Sequence, residues 1–185
     1  MRTQSIYGFY PIVPDAAWVA KLVSWGVRTV QLRAKDLSSR EVYAEIEKSL
    51  EATTGTDTQL IINDYWQEAI ELDCSYIHLG QEDLAGADLR AIKKAGLKLG
   101  VSTHTQEELD IALSSEPDYI ALGPVYETTL KAMPYAPQTL DGVKKWKSQI
   151  SSPLIAIGGI TLERAPLVLD AGADAISVVS DVVLN

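Results

Sequence analysis

Short apolar runs recur at near-even intervals, near Ile6–Val13, Thr29–Leu32, Gln59–Ile62, Tyr76–Leu79, Lys98–Val101, Tyr119–Leu122, Leu154–Ile157 and Ala175–Val179. They are rich in Ile, Leu, Val and Tyr, and most are nearly continuous, the pattern of strands buried on both faces. Between them lie stretches of helical spacing. In Glu41–Leu50, Val42, Ile46 and Leu50 recur at four-residue steps while Glu41, Glu45 and Lys48 face away. Trp18–Trp25, Trp66–Leu72, Leu89–Ala95, Glu107–Leu113, Leu140–Trp146 and Glu163–Leu169 read the same way. Gly26, Gly96 and Gly172 each stand between a helical stretch and a strand, where a C-terminal cap is expected. Thr105 with Glu108 three residues on predicts a capping box, and Thr161 predicts a cap for a helix beginning at Leu162. Eight strands alternating with seven helices predict an α/β fold, a TIM (β/α)8 barrel forming a single domain over residues 1–185. A doubly wound open sheet is the alternative, but near-equal units of about twenty residues are what a closed barrel requires. The pattern holds no eighth helix, because the chain reaches Asn185 soon after Val179. The last helix is therefore expected to be absent or truncated, leaving apolar surface that an oligomeric partner would cover.

Composition narrows the class. The chain has 185 residues, 46% of them hydrophobic, enough for one sizeable core. Its 25 acidic and 16 basic residues give a net charge of −9, which argues against nucleic acid as a partner. A local phosphate site is still compatible with that balance, since a few convergent cations act at short range. Cys74 is the only cysteine, so no intrachain disulfide forms, and a reduced cytoplasmic setting is expected. No cationic leader with an apolar core and no apolar run of membrane-spanning length is present, so no membrane partner is expected.

In a barrel of this kind the chemistry collects where strands end. The second strand runs out through Gln31, Arg33 and Lys35, which alternation puts on one face. That triplet reads either as a solvated strand face or as a site for a phosphate-like anion. The third strand ends at Asn63 and Asp64, the fourth at His78 to Asp83, and the fifth at Ser102, Thr103 and His104. The sixth ends at Gly123 and Pro124, before a loop carrying Thr128, Thr129 and Lys131; the seventh ends at Gly158 and Gly159, the eighth at Ser180. Asp64 and Asp83, from neighbouring strand ends, suit one Mg²⁺, a hard cation that takes one or two carboxylates plus phosphate oxygens. Arg33, Lys35 and Lys131 suit the phosphates, Asn63 and Gln31 neutral hydrogen bonds, and the glycine pair a second anion at a helix N-terminus. Such a set points to joining two phosphorylated small molecules or displacing pyrophosphate.

Simpler roles stand beside these. Asp64 suits a cap for a helix near Tyr65, and Asp83 one for a following turn. His78, inside an apolar run, reads as a packed, hydrogen-bonded histidine; His104 fits capping or ligand contact equally. The tryptophans read as core or interface, and Cys74 as inert. No zinc-type spacing, Ser-His-Asp order or Walker loop occurs.

The segments GVRTVQLRAKD, LIINDYW, YIHLGQEDL, LGVSTH, YIALGPVYETTLK, APQTL, IAIGGIT and ISVVS follow one another, one per strand end. In that order, from about Tyr7 to Ser180, the chain resembles the thiamine phosphate synthase (thiamine-phosphate pyrophosphorylase) family. The resemblance implies a TIM barrel that is a transferase of thiamine biosynthesis. It would couple 4-amino-2-methyl-5-hydroxymethylpyrimidine diphosphate to 4-methyl-5-(2-hydroxyethyl)thiazole phosphate, with Mg²⁺, giving thiamine phosphate and pyrophosphate. Pyrophosphate would leave first, and the thiazole nitrogen would capture the resulting cation. By this resemblance Gln31, Arg33, Lys35, Asn63 and Lys131 hold the pyrimidine diphosphate, and Asp64 and Asp83 bind Mg²⁺. Ser102 contacts the pyrimidine or departing diphosphate, and Arg33, Lys35, Ser102 and Lys131 carry the catalysis. Thr128, Gly159, Val179 and Ser180 receive the thiazole phosphate, and a homodimer is a family-level expectation.

The chain departs from the family pattern at Glu127, where proline is common, at Leu130, where a second threonine is usual, and at Thr139, where glycine is usual. Reduced affinity for thiazole phosphate is expected from these, more than lost chemistry. A thiazole tautomerase on the same barrel, and a non-catalytic phosphate-binding relative, are the other two readings. The QLRAK segment together with Asp64 and Asp83 favours the synthase.

Overall fold

The computed structural model describes residues 6, 8–127 and 135–179. Thr128, Thr129, Leu130, Lys131 and Ser180, all singled out above, lie outside them. Eight parallel strands close into a barrel in chain order: β1 (Phe9–Val13), β2 (Thr29–Leu32), β3 (Gln59–Asn63), β4 (Tyr76–Leu79), β5 (Lys98–Thr103), β6 (Tyr119–Leu122), β7 (Leu154–Ile157) and β8 (Ala175–Val178). Closure is made by β1, which pairs with β2 at Ile12 opposite Gln31 and with β8 at Tyr10 opposite Ser177. The open sheet is thereby excluded. The helices are α1 (Ala16–Ser24), α2 (Ser39–Thr53), α3 (Trp66–Glu71), α4 (Gln81–Gly86), α5 (Leu89–Ala95), α6 (Gln106–Ser114), α7 (Thr139–Gln149) and α8 (Ala165–Asp170). None of them is long and apolar enough to cross a membrane.

Helix α4 is the element the hydrophobic pattern did not reveal. It buries only Leu84, too little for a periodic stripe, and starts directly after β4 with Gly80 at its N-cap. Glu82 and Asp83 occupy its first turn, where the helix dipole favours negative charge. Asp83 therefore lies inside a helix and caps nothing.

The other helix starts divide. Ser38 and Glu41 form a full capping box on α2. At α6 only half of the expected box forms. The Thr105 hydroxyl accepts from the Glu108 N–H at 3.2 Å, while the Glu108 carboxylate bonds the His104 N–H at 2.7 Å, one residue early. Thr161 does not cap α8, whose N-cap is Arg164; a turn intervenes, with Thr161 C=O accepting from the Arg164 and Ala165 amides. Gly96 is the left-handed C-cap of α5, and Gly26 and Gly172 follow their helix ends at positive φ.

The two strand faces bury different chemistry. Val30, Leu32, Leu60, Ile62, Ile77, Leu79, Val101, Ile120 and Leu122 pack outward against the helices with Val19, Val42, Ile46, Leu109 and Trp146. The inward face holds Tyr10, Ile12, Ile61, Tyr76, Tyr119, Ala121 and Ile155. Alternation adds Thr29, Gln31, Gln59, Asn63, His78 and Ser177 to that interior, all buried. The strands are buried on both sides as expected, but the barrel interior mixes polar with apolar side chains.

Polar side chains of that size need room, and Gly100 supplies it. A Cβ there would lie 1.9 Å from the Tyr119 ring, which crosses the barrel beside it. Gly100→Ala is expected to displace Tyr119 and lower stability by about 2 kcal/mol or more, measurable by denaturant unfolding. An unchanged midpoint would mean that the interior is looser than its contacts indicate.

Candidate active site

Three charged side chains converge where β2, β3 and β4 end. The Lys35 ammonium pairs with the Asp64 carboxylate. Asp64 holds a left-handed backbone at φ 69°, with its N–H donated to the His78 carbonyl at 2.9 Å. Asp tolerates that conformation better than most residues. The helix that follows has Tyr65 at its N-cap and no side-chain cap bond, so Asp64 is not the cap. The Asp83 carboxyl reaches Asp64 from the first turn of α4 and hydrogen-bonds with it, and burial and the Asp64 charge together push it above the usual carboxylate range. Two carboxyl groups this close resist ionising together unless a cation joins them. Among the described residues no cluster of three or more His, Cys, Asp or Glu side chains could hold a metal. A two-carboxylate set fits Mg²⁺, which completes its shell with water and phosphate oxygens, and fits zinc poorly.

The QLRAK triplet does not share one face of one strand. β2 ends at Leu32; Arg33 and Lys35 are exposed beyond it, with Ala34 buried between them. Gln31 lies inside the barrel, 2% exposed, its Nε2 donating to the Tyr10 hydroxyl at 2.6 Å. Barrel closure places Gln31 below the mouth, because the strand carries it inside while Arg33 and Lys35 follow the strand's end.

Gln31 opens a run of hydrogen bonds across the interior. Tyr10 and Tyr119 hydroxyls are 2.8 Å apart, Tyr119 oxygen lies 2.9 Å from His78 Nδ1, and His78 Nε2 lies 2.8 Å from Ser102 Oγ. His78 and Tyr119 also stack, with ring centroids 5.6 Å apart. Burial pushes both phenols well above their usual range and drives the imidazole down to about 4. His78 is thus the packed, hydrogen-bonded histidine that its sequence setting predicts. The tyrosines were missed as site residues because each sits in an apolar run and reads as core.

Other candidates fall around this centre. Asn63 is buried at the end of β3, paired in register with His78. His104 takes the structural role left open for it: Nδ1 contacts Glu108 at 2.8 Å, its ring stacks on Tyr135 at 4.6 Å, and its carbonyl accepts from Gln138. Tyr135 also donates to Glu108 at 3.0 Å, so this cluster anchors the entry to α7. Cys74 is buried and its thiol is pushed up to about 12, as an inert cysteine should be.

On the opposite side, Gly158 and Gly159 have φ of 100° and 62°. A Cβ on the first would meet Pro124 at 2.7 Å, and on the second the Glu127 carbonyl at 2.4 Å. The pair is required by the adjacent loop before any anion is considered. The Gly159 carbonyl accepts from Arg164, whose guanidinium lies 4.4 Å from the Tyr126 ring centre. Val179 packs on the interior cluster, and the buried Ser177 hydroxyl on β8 has no hydrogen-bond partner among the described residues. A cavity of about 600 Å³ beneath this loop is lined by Tyr126, Glu127, Thr139, Lys144 and Arg164, away from the Lys35–Asp64–Asp83 centre.

A sequence profile described as thiamine monophosphate synthase matches residues 9–182. The thiamine-phosphate synthase of Rhizobium etli is 53% identical over 178 residues, covering 96% of this chain and 87% of the relative. That of Salmonella choleraesuis is 48% identical over 174 residues, covering 94% and 82%. Among solved structures, thiamine phosphate pyrophosphorylase from Pyrococcus furiosus superposes with a TM-score of 0.81 at 28% identity, covering 94% of this chain and 85% of that one. FabK from Thermotoga maritima, at 16% identity and TM-score 0.76, shares the fold alone.

Two measurements test the energetics of the site. His78 has a folded-state value of about 4 against 6.5 unfolded, so the unfolded chain binds the extra proton between those values. Stability from the neutral ring is full above pH 6.5 and declines by about 3 kcal/mol as pH falls through the window. Asp83 acts with the opposite sign, so the difference between wild type and His78→Gln in pH-dependent unfolding reads the histidine alone. Parallel curves would mean that His78 is not buried neutral. Thr139 holds φ 60°, a costly conformation for a β-branched residue. Thr139→Gly is expected to raise stability by about 1 kcal/mol, seen as a higher unfolding midpoint.

Proposed function

The chain belongs to the thiamine monophosphate synthase family, and from that membership we propose how its barrel mouth joins a pyrimidine diphosphate to a thiazole phosphate. It is a transferase of thiamine biosynthesis, forming thiamine phosphate. The observation that carries the residue-level reading is the convergence of Lys35, Asp64 and Asp83 beside exposed Arg33.

Arg33 and Lys35 hold the diphosphate. Arg33 offers a fixed fork of donors suited to phosphate oxygens, and Lys35 a compact charge on a flexible stem. The Lys35 side chain is 41% exposed, so it can exchange its contact with Asp64 for one with an incoming phosphate. Asp64 and Asp83 would hold Mg²⁺ through their adjacent carboxylates, and the cation would relieve the repulsion that raises Asp83. The metal supplies positive charge to the phosphate oxygens and neutralises the leaving group. Departure of pyrophosphate ahead of bond formation needs that stabilisation more than it needs a base, and buried His78 is poorly suited to be one.

Asn63, Gln31 and Ser102 bind neutral parts of the pyrimidine or the departing diphosphate below the charged rim. Gly159 and Val179 line the thiazole phosphate side, joined by Thr128 and Ser180, while Lys131 joins Arg33 and Lys35 on the diphosphate; Thr128, Lys131 and Ser180 lie outside the described residues. Glu127 brings a negative charge to that side, which supports weaker binding of thiazole phosphate. Homodimer formation remains a family-level proposal, tested by light scattering. The tautomerase reading needs no diphosphate–metal site, so the paired carboxylates weigh against it.

The assay combines both substrates with Mg²⁺ and measures thiamine phosphate and released pyrophosphate. Asp64→Ala and Asp83→Ala are each expected to lower turnover roughly 100-fold and weaken the Mg²⁺ dependence. A variant with wild-type rate and metal response would overturn the two-carboxylate site.

A further inference from the structure

The interior hydrogen bonds have a direction that can be worked out atom by atom. Gln31 presents Nε2 to the Tyr10 hydroxyl at 2.6 Å, and an amide nitrogen only donates. The Tyr10 oxygen therefore accepts there. Its own hydrogen has one further partner among the described residues, the Tyr119 oxygen at 2.8 Å. With that contact filled, the Tyr119 hydrogen goes to His78 Nδ1 at 2.9 Å, which must accept. A ring accepting at Nδ1 carries its hydrogen on Nε2, which lies 2.8 Å from Ser102 Oγ and donates to it. No described residue accepts the remaining Ser102 hydrogen. Running the chain backwards would require the Gln31 amide to turn over and present its oxygen to the Tyr10 hydroxyl in place of Nε2.

We propose that Tyr10 and Tyr119 are positioning residues, which transmit the donor sense of Gln31 across the barrel, hold His78 as its Nε2–H tautomer and leave the Ser102 hydroxyl hydrogen free to donate to substrate. The inference rests on the reading that Ser102 meets the pyrimidine or its diphosphate. It makes Gln31 and Ser102, on opposite sides of the mouth, parts of one network rather than separate ligands. Gln31, Tyr10, Tyr119 and His78 are buried, so the bonds among them are shielded from competition by water, while Ser102 is partly exposed at the end of the run. With its hydrogen unclaimed by the described residues, the Ser102 hydroxyl offers a donor at that point. The arrangement therefore selects for an acceptor on the substrate at that point.

The test uses the full chain labelled with ¹⁵N at histidine. Long-range proton–nitrogen spectra of the wild type are expected to give the Nε2–H pattern for His78. In Tyr119→Phe the lock is lost, the two tautomers mix, and kcat falls on the order of tenfold with KM changed little. A wild-type His78 protonated at Nδ1 overturns the relay whatever the variant does. So does a Tyr119→Phe protein with unchanged tautomer and unchanged kcat. If Tyr119→Phe does not fold, the wild-type spectrum still decides. Ser102→Ala separates the two claims, because full activity there removes the Ser102 substrate contact without altering the tautomer of His78.

Discussion

Closure of the sheet between β1 and β8 is the constraint on which everything else depends. Pairing Tyr10 opposite Ser177 leaves no sheet edge and encloses an interior too narrow for water to solvate what lies there. Every polar side chain that alternation sends inward must then find a partner across the barrel or remain unsatisfied. Tyr10, Tyr119, His78 and Gln31 satisfy one another. These bonds make the core tolerable and at the same time tie β1, β2, β4 and β6 together beneath the mouth. Gly100 belongs to this solution, since a methyl group there would occupy the place of the Tyr119 ring.

Above that floor the balance of forces reverses. The rim holds charges that are uncomfortable with each other: Asp83 is raised by burial and by Asp64, and Lys35 and the Asp83 backbone N–H relieve it in part. A rim held this way favours the arrival of a cation with a polyanion, because each ligand removes the repulsion or desolvation that the other leaves. Placing strain at the rim and satisfaction in the core separates stability from function along the barrel axis. On the far side, Gly158 and Gly159 are fixed by the close approach of Pro124 and Glu127.

The legible parts of the fold were those set by local pattern. Outward-facing strand positions such as Leu60 and Ile62, and helix stripes such as Val42 and Ile46, announce themselves because neighbouring residues share one environment. α4 was missed because six residues burying only Leu84 carry no period. Thr105 was half right: its own bond to Glu108 is local, but the Glu108 carboxylate chose His104, a choice shared with Tyr135 packing from far along the chain. Thr161 capped nothing because a turn intervenes before α8.

By itself the sequence determined the strand–helix alternation, the polar strand ends and the acids among them, because these depend on residue type and spacing. Tertiary structure alone decided that Gln31 lies beneath the mouth while Arg33 and Lys35 stand on its rim. It also decided that Asp64 answers Lys35 and Asp83 instead of capping a helix. The Tyr10–Tyr119 bond joins residues 109 positions apart. No local pattern encodes such a contact; it exists because the closed sheet brings opposite strands within one hydroxyl's reach.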